Sequence, residues 1–172
     1  MKRNNVKNLA FLSILLGISV AVGILESFIS LPIPVPGVKI GLANFINLFV
    51  LYYFDLKSYI TVGFIRVCLS ALLWGGFGIT FLFSFVGWLL SAAGVTLVFL
   101  SKKFSIYGIS VLGACLHQIG QMTVAVFVYG QAGLIYYLPF LIITAVLTGT
   151  IIAFITKRVI CSLNVSMIKF LN

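Results

Sequence analysis

A small set of polar side chains is scattered through an otherwise apolar chain, and their types could do chemistry. Arg66 is a guanidinium in an apolar segment, and His117 and Gln121 stand four residues apart, so they share a helix face. Their chemistry is that of binding, because an arginine in a low-dielectric site attracts anionic or carbonyl groups and amides orient a ligand. The candidate ligand-binding residues are Glu26, Lys39, Asn44, Asn47, Arg66, His117, Gln118 and Gln121.

Each of these side chains also has a structural interpretation. One alternative for Arg66 is that its side chain snorkels to the membrane surface or pairs with a helix-end carbonyl, although it lies far from both ends of its segment. The alternative for His117 is a hydrogen-bonded packing role. The alternative for Asn44 and Asn47 is that they bridge helices by hydrogen bonds. Glu26 is equally an ion-pair partner for Arg66 or for the lysine of the following loop. A binding site therefore requires these residues to converge.

The chain lacks the residues that catalysis usually needs. Its only acidic residues are Glu26 and Asp55, it has one histidine, and no phosphate-binding loop is present. The three cysteines, Cys68, Cys115 and Cys161, are far apart, which favours small buried side chains over a disulfide or metal site. We expect no catalytic residue, no metal site and no cofactor, and hence a protein that is not an enzyme.

The composition places these residues in a membrane. The chain has 172 residues, of which 62% are hydrophobic and 8% charged, whereas soluble domains carry about 25% charged residues. A membrane-spanning helix needs ~20 apolar residues. Six segments are candidates, at residues 9–28, 40–54, 59–74, 79–100, 107–129 and 133–156, and the second and third of them are short. The sequence predicts an all-α integral membrane protein with six transmembrane helices.

The positive charges give this protein an orientation. With six spans, the lysines and arginines before helix 1 and after helices 2, 4 and 6 fall on one side, which the positive-inside rule assigns to the cytoplasm. Both termini are then cytoplasmic, in a multi-pass protein of a bacterial cell membrane. The net charge of +9 is explained by topology and contact with anionic lipid, so we expect no nucleic-acid partner. Residues 1–158 form one transmembrane domain, and 159–172 a short interfacial or disordered tail.

The loop between helices 1 and 2 is unusually rich in proline. Pro32, Pro34 and Pro36 fix φ and remove backbone donors, and Gly37 permits a sharp turn. The pattern predicts a stiff extended loop outside the bilayer. It would cover a pocket in the outer half of the bundle, where the polar residues of separate helices reach similar depth.

A stripe of small residues follows helix 1. Ser13, Gly17 and Ala21 recur every four residues, with Ala10 close to the same line. Small residues let helices approach closely in lipid, where packing has to supply the association energy. The stripe predicts either packing within this chain or docking of a partner membrane protein.

Three sequence runs carry a resemblance to a known family. They are LESFI followed by PIPVPGVKIGLAN around the proline loop, GFIRV in helix 3 and GACLHQIGQ in helix 5. Over nearly all of residues 9–158 the chain resembles the bacterial Gx transporter family, called heptaprenyl diphosphate synthase component I in older naming. That family is similar to the substrate-binding S components of energy-coupling factor (ECF) transporters.

The resemblance implies a function and partners. ECF S components are six-helix proteins that capture a small molecule in an outward-facing pocket under the helix 1–2 loop. They dock through small residues of helix 1, an A-x-x-x-A pattern, on a transmembrane coupling protein that works with two cytoplasmic ATPases. This chain reads S-x-x-x-G-x-x-x-A at Ser13, Gly17 and Ala21. The expected ligand is amphipathic or anionic.

Two other functions remain open. One is an accessory subunit that holds a lipid diphosphate for a soluble isoprenoid or quinone synthase. The other is a structural subunit of a membrane redox complex. The older synthase label does not predict catalysis here, because prenyl diphosphate synthases rely on aspartate-rich motifs and this chain has one aspartate.

Overall fold

The computed structural model describes residues 2–26, 28 and 43–163. These residues form six α-helices joined by short connections. The helices are α1 (Lys2–Glu26), α2 (Asn44–Tyr53), α3 (Leu56–Ser70), α4 (Ile79–Ser101), α5 (Ile106–Tyr129) and α6 (Leu138–Ser162). A π-helical turn, Ala71–Gly75, extends α3, and a 3-10 helix, Ala132–Tyr137, precedes α6.

Local sequence signals explain several helix ends. Asp55 caps α3, its Oδ1 accepting a hydrogen bond from the Ser58 backbone amide at 2.6 Å. Ser105 caps α5 in the same way, accepting from the Gly108 amide at 3.3 Å. Such caps satisfy amides that have no carbonyl partner in the first helical turn. Gly130 ends α5 with a φ of 64°, in the left-handed region that glycine adopts without strain.

The prediction of an all-helical membrane bundle is confirmed in these residues. Five helical segments are long and apolar enough to cross a membrane. The exception is α2, which has 10 residues and spans about 15 Å at 1.5 Å per residue. Six crossings therefore stay a prediction. The proline loop and Lys39 lie outside the described residues. So does most of the predicted tail, although α6 continues through its first residues to Ser162.

Apart from Arg66, the basic residues of the described helices and turns lie at one end of the bundle. Three side-chain contacts join helix ends there: Phe11 with Tyr53 at 5.7 Å, Tyr52 with Phe99 at 5.7 Å, and Tyr107 with Lys157 at 6.0 Å. The start of α1, the α2–α3 turn, the α4–α5 turn and the end of α6 therefore lie together. We call this the basic end. The end of α1 and the start of α2 lie at the opposite end.

Close packing is concentrated around α5. A Cβ added to Gly120 would lie 2.8 Å from both the Gly87 Cα and the Val86 carbonyl oxygen of α4. A Cβ on Gly149 of α6 would lie 2.9 Å from the Val111 Cα of α5. Glycine at these positions lets the backbones approach to a distance that any side chain would prevent. The polar residues of α5 are thereby held in the interior.

Candidate ligand site

Four of the predicted site residues converge on one cavity, which we call the outer cavity. It lies between the end of α1, the start of α2 and the inner faces of α3, α4 and α5. Its lining residues are Gly23, Glu26, Ala43, Asn44, Arg66, Val67, Ser70, Ser84 and His117. Glu26 and Asn44 stand at the helix ends opposite the basic end, so the cavity occupies that half of the bundle.

Arg66 provides the positive charge of the outer cavity. Its side chain is buried, with 7% of its surface exposed. The Arg66 Nη2 donates a hydrogen bond to the Asn44 Oδ1 at 3.3 Å, and the carboxylate of Glu26 attracts the guanidinium electrostatically. A buried charge needs such partners, because burial removes its hydration. The arrangement orients a guanidinium whose five N–H donors suit carboxylate or phosphate oxygens.

His117 reaches this cavity because α4 leaves space for its ring. A Cβ on Gly87 would lie 2.9 Å from the His117 Cε1 and 3.0 Å from its Nδ1. On the α5 side, the Gln121 Nε2 lies 3.2 Å from the His117 Nε2.

The remaining predicted residues are placed differently. Gln118 and Gln121 are buried, with 1% and 0% of their surfaces exposed. They are not among the described lining residues of the outer cavity. Gln121 contacts His117, which does line it. Asn47 faces another cavity, and Lys39 lies outside the described residues. The structure thus brings together Glu26, Asn44, Arg66 and His117.

A second cavity, which we call the inner cavity, lies closer to the basic end. It is lined by Asn44, Asn47, Leu48, Tyr59, Trp88, Ser91, Val95, Ile109, Ser110, Gly113, Ala114 and Ile152. Asn44 lines both cavities and so marks where they adjoin. The Ser110 hydroxyl donates to the Gly149 carbonyl oxygen at 2.7 Å.

Sequence reasoning missed several polar residues of the two cavities. Ser70 and Ser84 line the outer cavity, and Tyr59, Trp88 and Ser91 line the inner one. Serine and aromatic residues are common throughout membrane helices, so their type alone does not distinguish a cavity from a helix contact. The available signal was position: Trp88 and Ser91 stand three residues apart and share one face of α4.

The outer cavity is small. Its volume is about 40 Å³, which is room for about three water molecules. The inner cavity has about 30 Å³. Sites for small organic ligands usually occupy several hundred Å³ by a more inclusive measure. The geometry therefore suits water or one functional group of a ligand, and a larger ligand needs the helices to separate.

The stripe of small residues on α1 faces away from the bundle. Ala10, Ser13, Gly17 and Ala21 are all exposed. A Cβ on Gly17 would meet no atom within 4 Å, and the Ser13 hydroxyl donates only to the Leu9 carbonyl oxygen of its own helix. Of the two interpretations of the stripe, packing within this chain does not apply in the described structure.

Comparison with known proteins gives one match. Residues 15–159 match the family described as heptaprenyl diphosphate synthase component I. This range includes all or part of each of the six helices and every candidate ligand-binding residue, but not Ala10 and Ser13 of the stripe on α1. No curated protein and no solved structure matches the chain.

Proposed function

The chain belongs to the heptaprenyl diphosphate synthase component I family, and we propose that it is a membrane-embedded binding subunit for uptake of a small molecule. The convergence of Glu26, Asn44, Arg66 and His117 on the outer cavity supports this function. The four residues come from four helices; Glu26, Arg66 and His117 are buried and Asn44 is half-buried, and such polar groups in an apolar bundle are expensive to maintain without a function.

The position of the outer cavity supports uptake from outside the cell. The positive-inside rule assigns the basic end to the cytoplasm. The outer cavity lies at the opposite end, where α1 ends and α2 begins. We propose six crossings with cytoplasmic termini, a bacterial cell membrane as the location, and an outward-facing pocket like that of an ECF S component.

The chemistry of the outer cavity favours a ligand with an anionic group. Arg66 would bind a carboxylate or phosphate oxygen in a setting of low dielectric, where charge-assisted hydrogen bonds are strong. Glu26 attracts the guanidinium electrostatically, and Asn44 accepts a hydrogen bond from it. A bound ligand replaces part of these contacts with its own. The net binding free energy therefore depends on how well the ligand pairs with the hydrogen-bond donors and the charge of Arg66.

We propose that the protein has no catalytic activity of its own. Its two acidic residues, Glu26 and Asp55, lie at opposite ends of the bundle and cannot share one Mg²⁺ ion. The description of the family names a synthase component, and a component works with another subunit. We propose that the partner subunit binds to the exposed stripe of small residues on α1. In the ECF-like scheme it is a coupling protein with two cytoplasmic ATPases.

Native mass spectrometry of the protein in detergent tests the binding function. We expect the wild type to retain a small molecule that is lost in Arg66→Ala and bound at least tenfold more weakly in Arg66→Lys, which keeps the charge but not the planar fork. Arg158→Ala is the matched control, because Arg158 is exposed and stacks over Phe154 at the basic end. A folded Arg66→Ala protein that retains the molecule would refute the proposal, as would a wild type that carries none.

The description of the family supports a second function, an accessory subunit that holds a lipid diphosphate for a prenyl synthase. The same Arg66 is suited to a diphosphate. Affinity purification from native membranes separates the two functions by what is recovered. A coupling protein with ATPases supports uptake, and a soluble prenyl synthase supports the accessory function and contradicts uptake.

A further inference from the structure

Two side chains that line the inner cavity each carry a buried polar atom with no hydrogen-bond partner among the described residues. These atoms are the Asn47 Oδ1 and the Trp88 Nε1, in side chains that are 4% and 7% exposed. The first atom only accepts a hydrogen bond, and the second only donates one. Leaving such atoms unpaired costs about 1–3 kcal/mol each. Buried polar groups are usually paired, so this complementary pair calls for an occupant.

The two side chains are held close together by Gly63. A Cβ on Gly63 would collide with the Trp88 Nε1 and would lie 3.2 Å from the Asn47 Nδ2. Both side chains thus occupy the space beside one glycine of α3. The Trp88 ring is also fixed by its neighbours, Phe64 at 5.7 Å and Phe85 at 6.0 Å between ring centroids. The Trp88 indole and the Asn47 amide group therefore lie beside the same glycine, in side chains that are packed in place before any ligand binds.

The inner cavity differs from the outer one in charge. Its described lining contains asparagine, serine, tyrosine and tryptophan among its polar residues, and none of them is charged near neutral pH. An ionic group placed there would lose its hydration without gaining a counter-charge. An uncharged polar group loses much less hydration free energy on entering the cavity. A group with one donor and one acceptor also matches the two orphan atoms.

We propose that the inner cavity is a second binding subsite, which takes an uncharged group carrying one hydrogen-bond acceptor and one donor, such as a carboxamide or lactam. Its carbonyl oxygen accepts from the Trp88 Nε1, and its N–H donates to the Asn47 Oδ1. The volume of about 30 Å³ is room for two or three waters, which is about the size of a carboxamide.

The two cavities together define a class of ligand. Because Asn44 lines both, one small molecule can place an anionic group at Arg66 and an amide group at Trp88. This part of the inference rests on the proposed binding function. The subsite itself does not, since it depends only on the atoms of the inner cavity.

Solution NMR of the two tryptophan indole N–H groups tests the subsite. The ¹⁵N-labelled wild type in detergent micelles is titrated with three probes of similar size: acetamide, acetate and acetone. We expect acetamide to shift the Trp88 indole resonance saturably. Acetone lacks the donor and acetate carries a charge, so each should bind at least tenfold more weakly. The chain has two tryptophans, so Trp74→Phe assigns the Trp88 signal.

Variants connect the response to the proposed contact. Asn47→Leu removes the acceptor and should abolish the response to acetamide. Thr148→Val is the control, because the Thr148 hydroxyl bonds only to carbonyl oxygens of its own helix and does not line the inner cavity. If Asn47→Leu does not fold, the titration of the wild type with the three probes still shows whether the subsite exists.

The outcomes separate this inference from the proposed function. No saturable shift with acetamide, or equal shifts with all three probes, overturns the subsite and leaves a cavity that holds water only. A saturable acetamide response supports the subsite even if Arg66→Ala keeps its ligand in native mass spectrometry, a result that refutes only the binding role of Arg66.

Discussion

Helices α1 and α5 are both long and apolar, yet the protein uses them in opposite ways. The mean hydropathy of the most apolar stretch is 2.3 in α1 and 1.6 in α5. Only 17% of that stretch of α1 is buried within the bundle, against 44% in α5. The less apolar helix is thus the central one, because it carries the polar residues that lipid would exclude. Hydropathy identifies a span but does not say whether protein or lipid surrounds it.

Glycine illustrates the same difference at single positions. Gly17 of α1 has open space beside it, whereas Gly120 of α5 meets the backbone of α4. In α5 the glycine serves close packing of two helices of this chain. In α1 it lies between Ser13 and Ala21 on the exposed face of the helix, and no atom packs within 4 Å of the space beside it.

The largest effect should come from adding one methyl group at each of these glycines. Gly120→Ala forces its Cβ against the Gly87 Cα and the Val86 carbonyl oxygen at 2.8 Å, and we expect a loss of about 1–3 kcal/mol in the free energy of unfolding. Gly17→Ala should leave stability unchanged or raise it by less than about 1 kcal/mol. Thermal unfolding of both variants in one detergent measures this. Equal stabilities would contradict the packing contrast.

A larger side chain at Gly17 tests whether the exposed face of α1 binds a partner. We expect Gly17→Leu to reduce recovery of the partner from native membranes about tenfold, which corresponds to about 1.4 kcal/mol of binding free energy, without lowering stability. Gly133→Leu is the matched control, because that glycine also has no atom within 4 Å and lies far from the stripe. Undiminished recovery with Gly17→Leu would show that the partner does not use this face.

The fold was largely predictable because membrane helices must satisfy their own backbone. The start of α4 at Ile79 and the end of α5 at Tyr129 agree with the predicted spans. Predicted boundaries were less accurate where helical geometry changes type, as at Ala71–Gly75 and Ala132–Tyr137. The predicted span at 40–54 is longer than the described α2, which begins at Asn44 and ends at Tyr53, and residues 40–42 lie outside the described residues.

The site was predictable in part. Comparing depths along the helices placed Glu26, Asn44, Arg66 and His117 together, and the structure does so too. Depth does not reveal how a helix is rotated about its axis. Asn47, one turn from Asn44, consequently lines the inner cavity, and Trp88 was not identified at all. Rotation is set by close contacts such as Gly63 with Trp88, which have no sequence pattern of their own.

The smallest effect concerns the caps that begin α3 and α5 at the basic end. The hydrogen bond from the Ser58 amide lowers the pKa of Asp55 below its ordinary value, and the charge of Lys57 acts in the same direction. A lowered pKa in the folded state means that the cap stabilises fully above the unfolded pKa of 3.8 and that this stability is lost as the pH falls through the folded value. Asp55→Ala should cost about 1 kcal/mol at pH 7, and the cost should shrink in acid.

Ser105 is the matched comparison, because it caps α5 through the same kind of bond but does not titrate. Ser105→Ala should also cost about 1 kcal/mol, with no change between pH 7 and pH 3. Asp55→Asn keeps an accepting oxygen without the charge, so its stability relative to wild type should improve on acidification. Denaturant unfolding followed by circular dichroism at both pH values measures these differences. If the costs of Asp55→Ala and Ser105→Ala vary with pH in parallel, the dependence comes from elsewhere in the bundle and the Asp55 carboxylate is not its source.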